Sequence, residues 1–277
     1  MAKIKIVTDS AADLTKEEIE KYNVEVIPLT VTIDDEEFEN IDNRLYIEKM
    51  RTTDKFSTSQ PAVGKFYEIY EKWTKQGYSV ISIHISDVIS GTVNTAMSVA
   101  AEFDNVYVIN SKSASSGTAY FVKDCAKCIS EGMQVLDIVN YLNNKVNKVI
   151  TYITIDNLNN LVKGGRIKKT AGLIGSLLNI KILAKSTDKE LTPLEKVRGK
   201  KKLVQALISN MSADIKNQTI KTISLPHALS FEYVELIKTA IYENFNYKVK
   251  DEDIFVTTPI ISTHTGEGAV GVLIELA

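Results

Sequence analysis

Cysteine, histidine, proline and tryptophan are all scarce: 2 cysteines, 3 histidines, 5 prolines and 1 tryptophan stand in 277 residues. The cysteines, Cys125 and Cys128, form a lone CxxC within the helical stretch FVKDCAKCISEG. A thioredoxin-like pair would sit at a strand-to-helix turn, where the helix N-terminus lowers the thiol pKa. A zinc site would need further ligands, and neither a second cysteine pair nor HxxxH occurs. Two small apolar side chains on one helical face, in a reducing compartment, is the better reading. Positive charge is not in excess either. The formal net charge is −2, which argues against a nucleic-acid partner. No apolar run reaches the roughly 18 residues of a membrane span. The opening MAKIKIVTDSAADLT turns polar where a secretory leader would stay apolar. A cytoplasmic protein without stable membrane insertion is expected. A Walker A pattern is missing as well, and no nucleotide cofactor is expected.

What is present is an alternation of apolar runs with helical periods along the whole chain. KIKIV, VEVIPLTVTI, YSVISIHIS and NVYVIN read as strands, and Thr15 with Glu18 reads as a capping box. Pro61 stands at a plausible first helical position before KFYEIYEKWTKQ. VITYITI opens a second unit, which includes an amphipathic stretch TAGLIGSLLNIKIL and ends in the strands DIFVTTPIIS and AVGVLIEL. Strands separated by helices predict parallel pairing. The fold class expected is α/β, with two domains, 1–147 and 148–277, each on a parallel-sheet core.

Ligands of such sheets bind beyond the carboxyl ends of the strands. Small polar residues gather at those places: Thr8-Asp9-Ser10, Ser86 to Thr92, Asn110-Ser111 and Thr263 to Gly268. Ser90-Gly91-Thr92 precedes an Ala-rich helix, so it is either an ordinary N-cap or an anion site. Thr58-Ser59-Gln60-Pro61 carries the same pair of readings. His264, between glycine-rich turns, is either a surface residue or a ligand contact. Arg166, after Gly164-Gly165, offers a fork suited to a carboxylate or phosphate. The run Arg198 to Lys202 is a solvated helix start or a docking patch for an acidic partner.

In order along the chain, TDS (8–10), TSQP (58–61), SGT (90–92), INSKSASSG (109–117), KGGRI (163–167), LTPLEKVRG (191–199) and THTGEG (263–268) resemble the DegV family over residues 3–276. Its characterised members are the fatty-acid-binding subunits of bacterial fatty acid kinase. The resemblance implies two α/β domains with a long-chain fatty acid between them and its acyl chain in the apolar interior. The carboxylate would be held by Thr58, Ser59, Ser90 and His264, with Gly91, Thr92 and Thr265 completing those motifs. Arg166 would lie near the head group, and Arg198 on the face that meets the kinase. A separate kinase subunit would phosphorylate the bound acid, feeding phospholipid synthesis. The chain itself would be a non-catalytic bacterial carrier, a monomer with no cofactor besides its lipid. Two departures stand out: Ile182 replaces the proline of the usual NIKPI, and Glu267 that of THTGPG. Glu267 would place a carboxylate near His264 and either raise its pKa or alter a partner contact. Two rival readings are a serine hydrolase built from Ser90, His264 and Asp9, without the GxSxG elbow, and a binder of a phosphorylated small molecule.

Overall fold

The computed structural model describes residues 3–156, 158–167 and 180–277. The amphipathic stretch expected from Thr170 lies outside these residues as far as position 179. The chain divides into two compact units, Met1–Asn40 with Thr58–Asn147, and Ile41–Ser57 with Lys148–Ala277. The contiguous first domain expected over 1–147 therefore includes a segment, 41–57, that packs with the second unit. Its local composition carries no sign of that, because its partners lie far along the chain.

In chain order the first part contains β1 (Lys3–Asp9), α1 (Lys16–Lys21), β2 (Val24–Ile27), β3 (Thr30–Ile33) and β4 (Glu36–Phe38). It continues through α2 (Asn43–Met50), β5 (Phe56–Ser59), α3 (Val63–Thr74), β6 (Tyr78–His84), α4 (Thr92–Ala100), β7 (Val106–Asn110), α5 (Ser116–Ser130) and α6 (Val135–Lys145). The main sheet of the first unit has the order β2-β1-β6-β7, parallel throughout. Val7, Ile27 and Val80 pack with Phe66 and Tyr70 of α3 and Ala96 and Val99 of α4. Ile4 and Ile6, on the opposite face of β1, line a cavity together with Ala126 and Ile129 of α5. Burial on both faces shows in β6, whose last five residues, Ser82 and His84 included, are all buried. Thr15 and Glu18 form the expected capping box. Cys125 and Cys128 are free and buried on α5, and burial pushes both thiols up, so neither resembles a reactive pair.

VEVIPLTVTI is two strands, not one. Pro28 has no N–H to give a ladder, so β2 stops at Ile27 and the chain turns into β3, in a small sheet of order β4-β3-β5. The Ser10 hydroxyl accepts the Leu29 N–H at 2.9 Å and fixes that break.

The second part holds β8 (Val149–Ile155), α7 (Asn159–Lys163), β9 (Ile180–Ser186), β10 (Leu191–Arg198), α8 (Lys200–Ile215) and β11 (Ile220–His227). It ends with α9 (Phe231–Phe245), β12 (Ile254–Val256), α10 (Pro259–Thr265) and β13 (Val270–Leu276). Its sheet runs β10-β9-β8-β13-β11-β12. Only β11 and β12 pair in parallel; the other four neighbours are antiparallel. The parallel core expected for this half is thus corrected. β9 and β10 are joined directly by a turn, and β13, which follows α10, enters mid-sheet antiparallel to both of its neighbours. Leu203, Leu207 and Met211 of α8 and Tyr233, Ile237 and Ile241 of α9 cover this sheet. DIFVTTPIIS is also corrected: it is a short strand and then a helix, because Pro259 takes the first helical position, where its missing N–H is harmless. Among the described residues no helix is long and apolar enough to cross a membrane.

Candidate functional site

The predicted residues fall into two clusters, one in each unit. In the first unit Thr58 and Ser59 end β5, Thr58 half-buried and Ser59 exposed. The helix start expected at Pro61 is corrected to Val63. Ala62, still extended at φ −63°, ψ 148°, is the N-cap, so the first helical residue stands two places beyond the proline. From the same segment Gln60 Nε2 donates to Thr95 Oγ1 of α4 at 2.8 Å. The Gln60 amide lies so close over Gly91 that a Cβ there would strike it. A side chain at Gly91 would have to displace that amide, the flexible end of an exposed residue.

Ser90 is the pivot of that turn. Its N–H donates to the Ser86 carbonyl at 3.1 Å. Its hydroxyl accepts the Thr92 N–H at 3.3 Å and shares a 2.8 Å bond with Thr92 Oγ1. Thr92 is buried, while Gly91 is exposed and Ser90 half-buried. Capping and anion binding therefore compete for one hydroxyl at the start of α4.

In the second unit His264 occupies the last turn of α10, not the loop expected from its glycine-rich surroundings. Gly266, at φ 77°, ends the helix with its N–H on the Ser262 carbonyl at 2.8 Å. A Cβ on Gly164 would collide with the His264 ring, so the KGGRI turn and the THTGEG motif meet at that contact. Asn160 Nδ2 donates to the Thr263 carbonyl at 3.0 Å and tightens the same junction. Arg166 is half-buried and its Nη1 donates to the Gly164 carbonyl at 2.6 Å. Burial, helped by the Arg166 charge, pushes the His264 pKa down to about 4. The imidazole is neutral at pH 7 and can donate one hydrogen bond without carrying charge. Thr265 is buried and its hydroxyl donates to the Ile261 carbonyl at 3.1 Å.

Glu267 does not act on His264 as expected. Arg51 takes it in a two-pronged pair, Nε to Oε2 at 2.9 Å and Nη2 to Oε1, and holds its carboxyl below the usual range. The sequence reading missed Arg51, Asn160 and Gln60. Gln60 stands inside a motif already singled out, whereas Arg51 and Asn160 carry no local signal. Arg198 is exposed at the end of β10, Lys200 begins α8, and Lys200 pairs with Glu232 at 3.1 Å.

Asp9 is committed elsewhere. Its Oδ2 faces His84 Nδ1 at 2.9 Å and accepts the Ile85 N–H at 3.0 Å, while Oδ1 accepts the Ala11 N–H at 3.0 Å. His84 Nε2 meets Ser82 Oγ at 2.7 Å, and Tyr70 donates to that same hydroxyl at 2.8 Å. Ser82, His84 and Asp9 have the hydrogen-bond order of a catalytic triad, yet all three are buried and Tyr70 seals the serine. The triad of Ser90, His264 and Asp9 loses its acid to His84.

TSQP and SGT thus meet in the first unit, and KGGRI and THTGEG meet in the second. The profile described as "uncharacterised protein, DegV family" matches residues 3–277. The chain belongs to the DegV family. A DegV domain-containing protein of Staphylococcus aureus (strain COL) is 40% identical over 278 residues, 99% of each chain. Among solved structures, a DegV lipid binding protein of Thermotoga maritima superimposes with a TM-score of 0.86 at 30% identity, covering 99% of this chain and 98% of its own. DegV of Bacillus subtilis, described as a fatty acid binding protein, gives 0.85 at 28% identity, covering all of both chains.

Proposed function

We propose that this chain binds a long-chain fatty acid, its carboxylate taking hydrogen bonds from Thr58, Ser59, Ser90 and His264, with Arg166 close to the head group. The observation that carries this reading is the state of His264. It is a half-buried, neutral imidazole beside an arginine, a donor that suits a carboxylate and a weak base for proton abstraction. The lipid- and fatty-acid-binding descriptions of the Thermotoga and Bacillus relatives support it. Affinity would come from the acyl tail. At about 0.8 kcal/mol per buried methylene, 14 to 16 methylenes give roughly 11–13 kcal/mol before the costs of association. The polar groups then fix orientation.

The chain does no chemistry of its own in this reading. It presents the carboxylate to a separate fatty acid kinase, whose ATP γ-phosphoryl passes to a carboxylate oxygen, leaving acyl phosphate and ADP. Arg198, exposed at the strand end, meets that kinase. The test is mass spectrometry of organic extracts from purified protein. A fatty acid in near-stoichiometric amount is expected; an empty extract, or a phosphorylated compound in its place, refutes the reading.

A further inference from the structure

The segment 41–57 leaves the first unit and lays α2 against α10, the helix that ends in His264. The contacts are polar and specific. Asn43 Nδ2 donates to the Thr257 carbonyl at 2.5 Å, and Ser262 Oγ donates to Asn43 Oδ1 at 2.6 Å. Tyr46, fully buried, shares a 2.7 Å bond with Thr263 Oγ1. Because the Thr263 hydroxyl donates to the Pro259 carbonyl at 2.6 Å, Tyr46 must be the donor of that pair. Both polar atoms of the Asn43 amide and the Tyr46 hydroxyl are thus used on α10 and the residues leading into it. Buried side chains committed in this way fix backbone position, since each lost bond strands a desolvated group.

We propose that Asn43 and Tyr46 are positioning residues, which set the rotation of α10 and so the direction in which His264 presents its ring to the ligand. The role rests on the fatty-acid reading for its purpose and on α2 for its mechanism. Thr263 is the direct neighbour of His264, and α10 is a single stretch of 7 residues, two turns long. A small rotation at Thr263 is therefore carried to His264 almost undiminished. General packing of an amphipathic helix would have been satisfied by apolar residues at 43 and 46. Hydrogen bonds give one rotation instead of several of similar energy.

The experiment is an NMR titration of the histidine side chains in the ligand-free full chain, with the His264 signal assigned from its loss in His264→Gln. The wild-type ring should titrate near 4. In Tyr46→Phe, and equally in Thr263→Val, a loosened α10 admits water to the ring, and the titration should rise by about one pH unit or more. Thr263→Ser keeps the hydroxyl and should keep the wild-type titration, which a purely steric role would not predict. Unchanged titration in Tyr46→Phe and Thr263→Val overturns the proposal, as does a shift in Thr263→Ser as large as in Thr263→Val. If one variant does not fold, the other decides; unfolding of both makes the bond a stability element and also overturns it. Lipid extraction reports separately. An extract without fatty acid refutes the function and leaves the titration standing, and an unchanged titration refutes the positioning role with lipid still bound.

Discussion

Keeping His264 neutral makes the fold sensitive to acid over a defined window. An imidazole in the unfolded chain titrates at 6.5 and the folded one at about 4. Between those values the unfolded chain holds a proton that the folded chain refuses. Stability is therefore complete above pH 6.5, falls as pH drops toward 4, and levels off below that. The window is about 2.5 pH units wide (6.5 minus 4), so the histidine's share is at most about 3 kcal/mol, reduced by the partial exposure of the ring. Carboxylates such as Glu267, held below the usual range, add to acid lability, so the wild type must be compared with His264→Gln. Urea unfolding followed by circular dichroism at pH 4, 5, 6 and 7 provides the two curves. The wild type should lose ground to His264→Gln by up to about 3 kcal/mol between pH 6.5 and 4. A bound carboxylate favours the imidazolium, so fatty acid should shrink that difference. Curves that fall in parallel would show that the histidine is not held neutral, and the argument from desolvation would be wrong.

Gly164→Ala should displace the His264 ring, because the new methyl would overlap it; overpacking of this kind costs about 1–3 kcal/mol, measurable as a lower urea midpoint. Normal stability and normal ligand orientation together would refute the contact. Glu267→Gln breaks an ion pair whose side chains are 54% and 39% exposed, so stability should change by less than about 1 kcal/mol, with the difference vanishing at high salt. Ser90→Ala combined with Thr58→Ala should leave lipid bound, since the tail supplies the affinity, while acyl-phosphate formation by a fatty acid kinase drops; unaltered turnover would remove both residues from the site. Arg198→Glu should weaken capture by that kinase in surface plasmon resonance, with lipid content unaffected.

Local signals fixed much of the secondary structure. Thr15 with Glu18 caps α1 as the spacing required, and Cys125 and Cys128 lie within one helix, α5. Strand-end polar clusters were legible for the same reason, since β1 and β7 stop where Asp9 and Asn110 begin to accept hydrogen bonds from loop N–H groups. Sheet direction in the second unit was not, because β9 and β10 look alike in either orientation and the turn between them carries no helix. Nor was the environment of His264. Glycines on both sides suggest exposure, but the ring is covered by Gly164, a hundred residues earlier in the chain. The same limit hid Arg51, whose bond to Glu267 spans a separation of 216. Pairings over such distances leave no periodicity to read.

The detour of α2 bears on how the chain comes off the ribosome. Asn43 meets Thr257 and Ser262 across separations of 214 and 219 residues, and Tyr46 meets Thr263 across 217. At about 5–20 residues per second, α2 waits roughly 10–40 s for its partners to be made. During that time a helix whose Tyr46 and Ile47 are buried in the finished fold lacks its α10 partner, while the parallel sheet of the first unit is already complete by Asn110. A nascent chain halted before residue 257 should leave α2 open to protease and the β1–β7 sheet protected. Synthesis of residues 257–263 then supplies the partners that hold α2 beside His264.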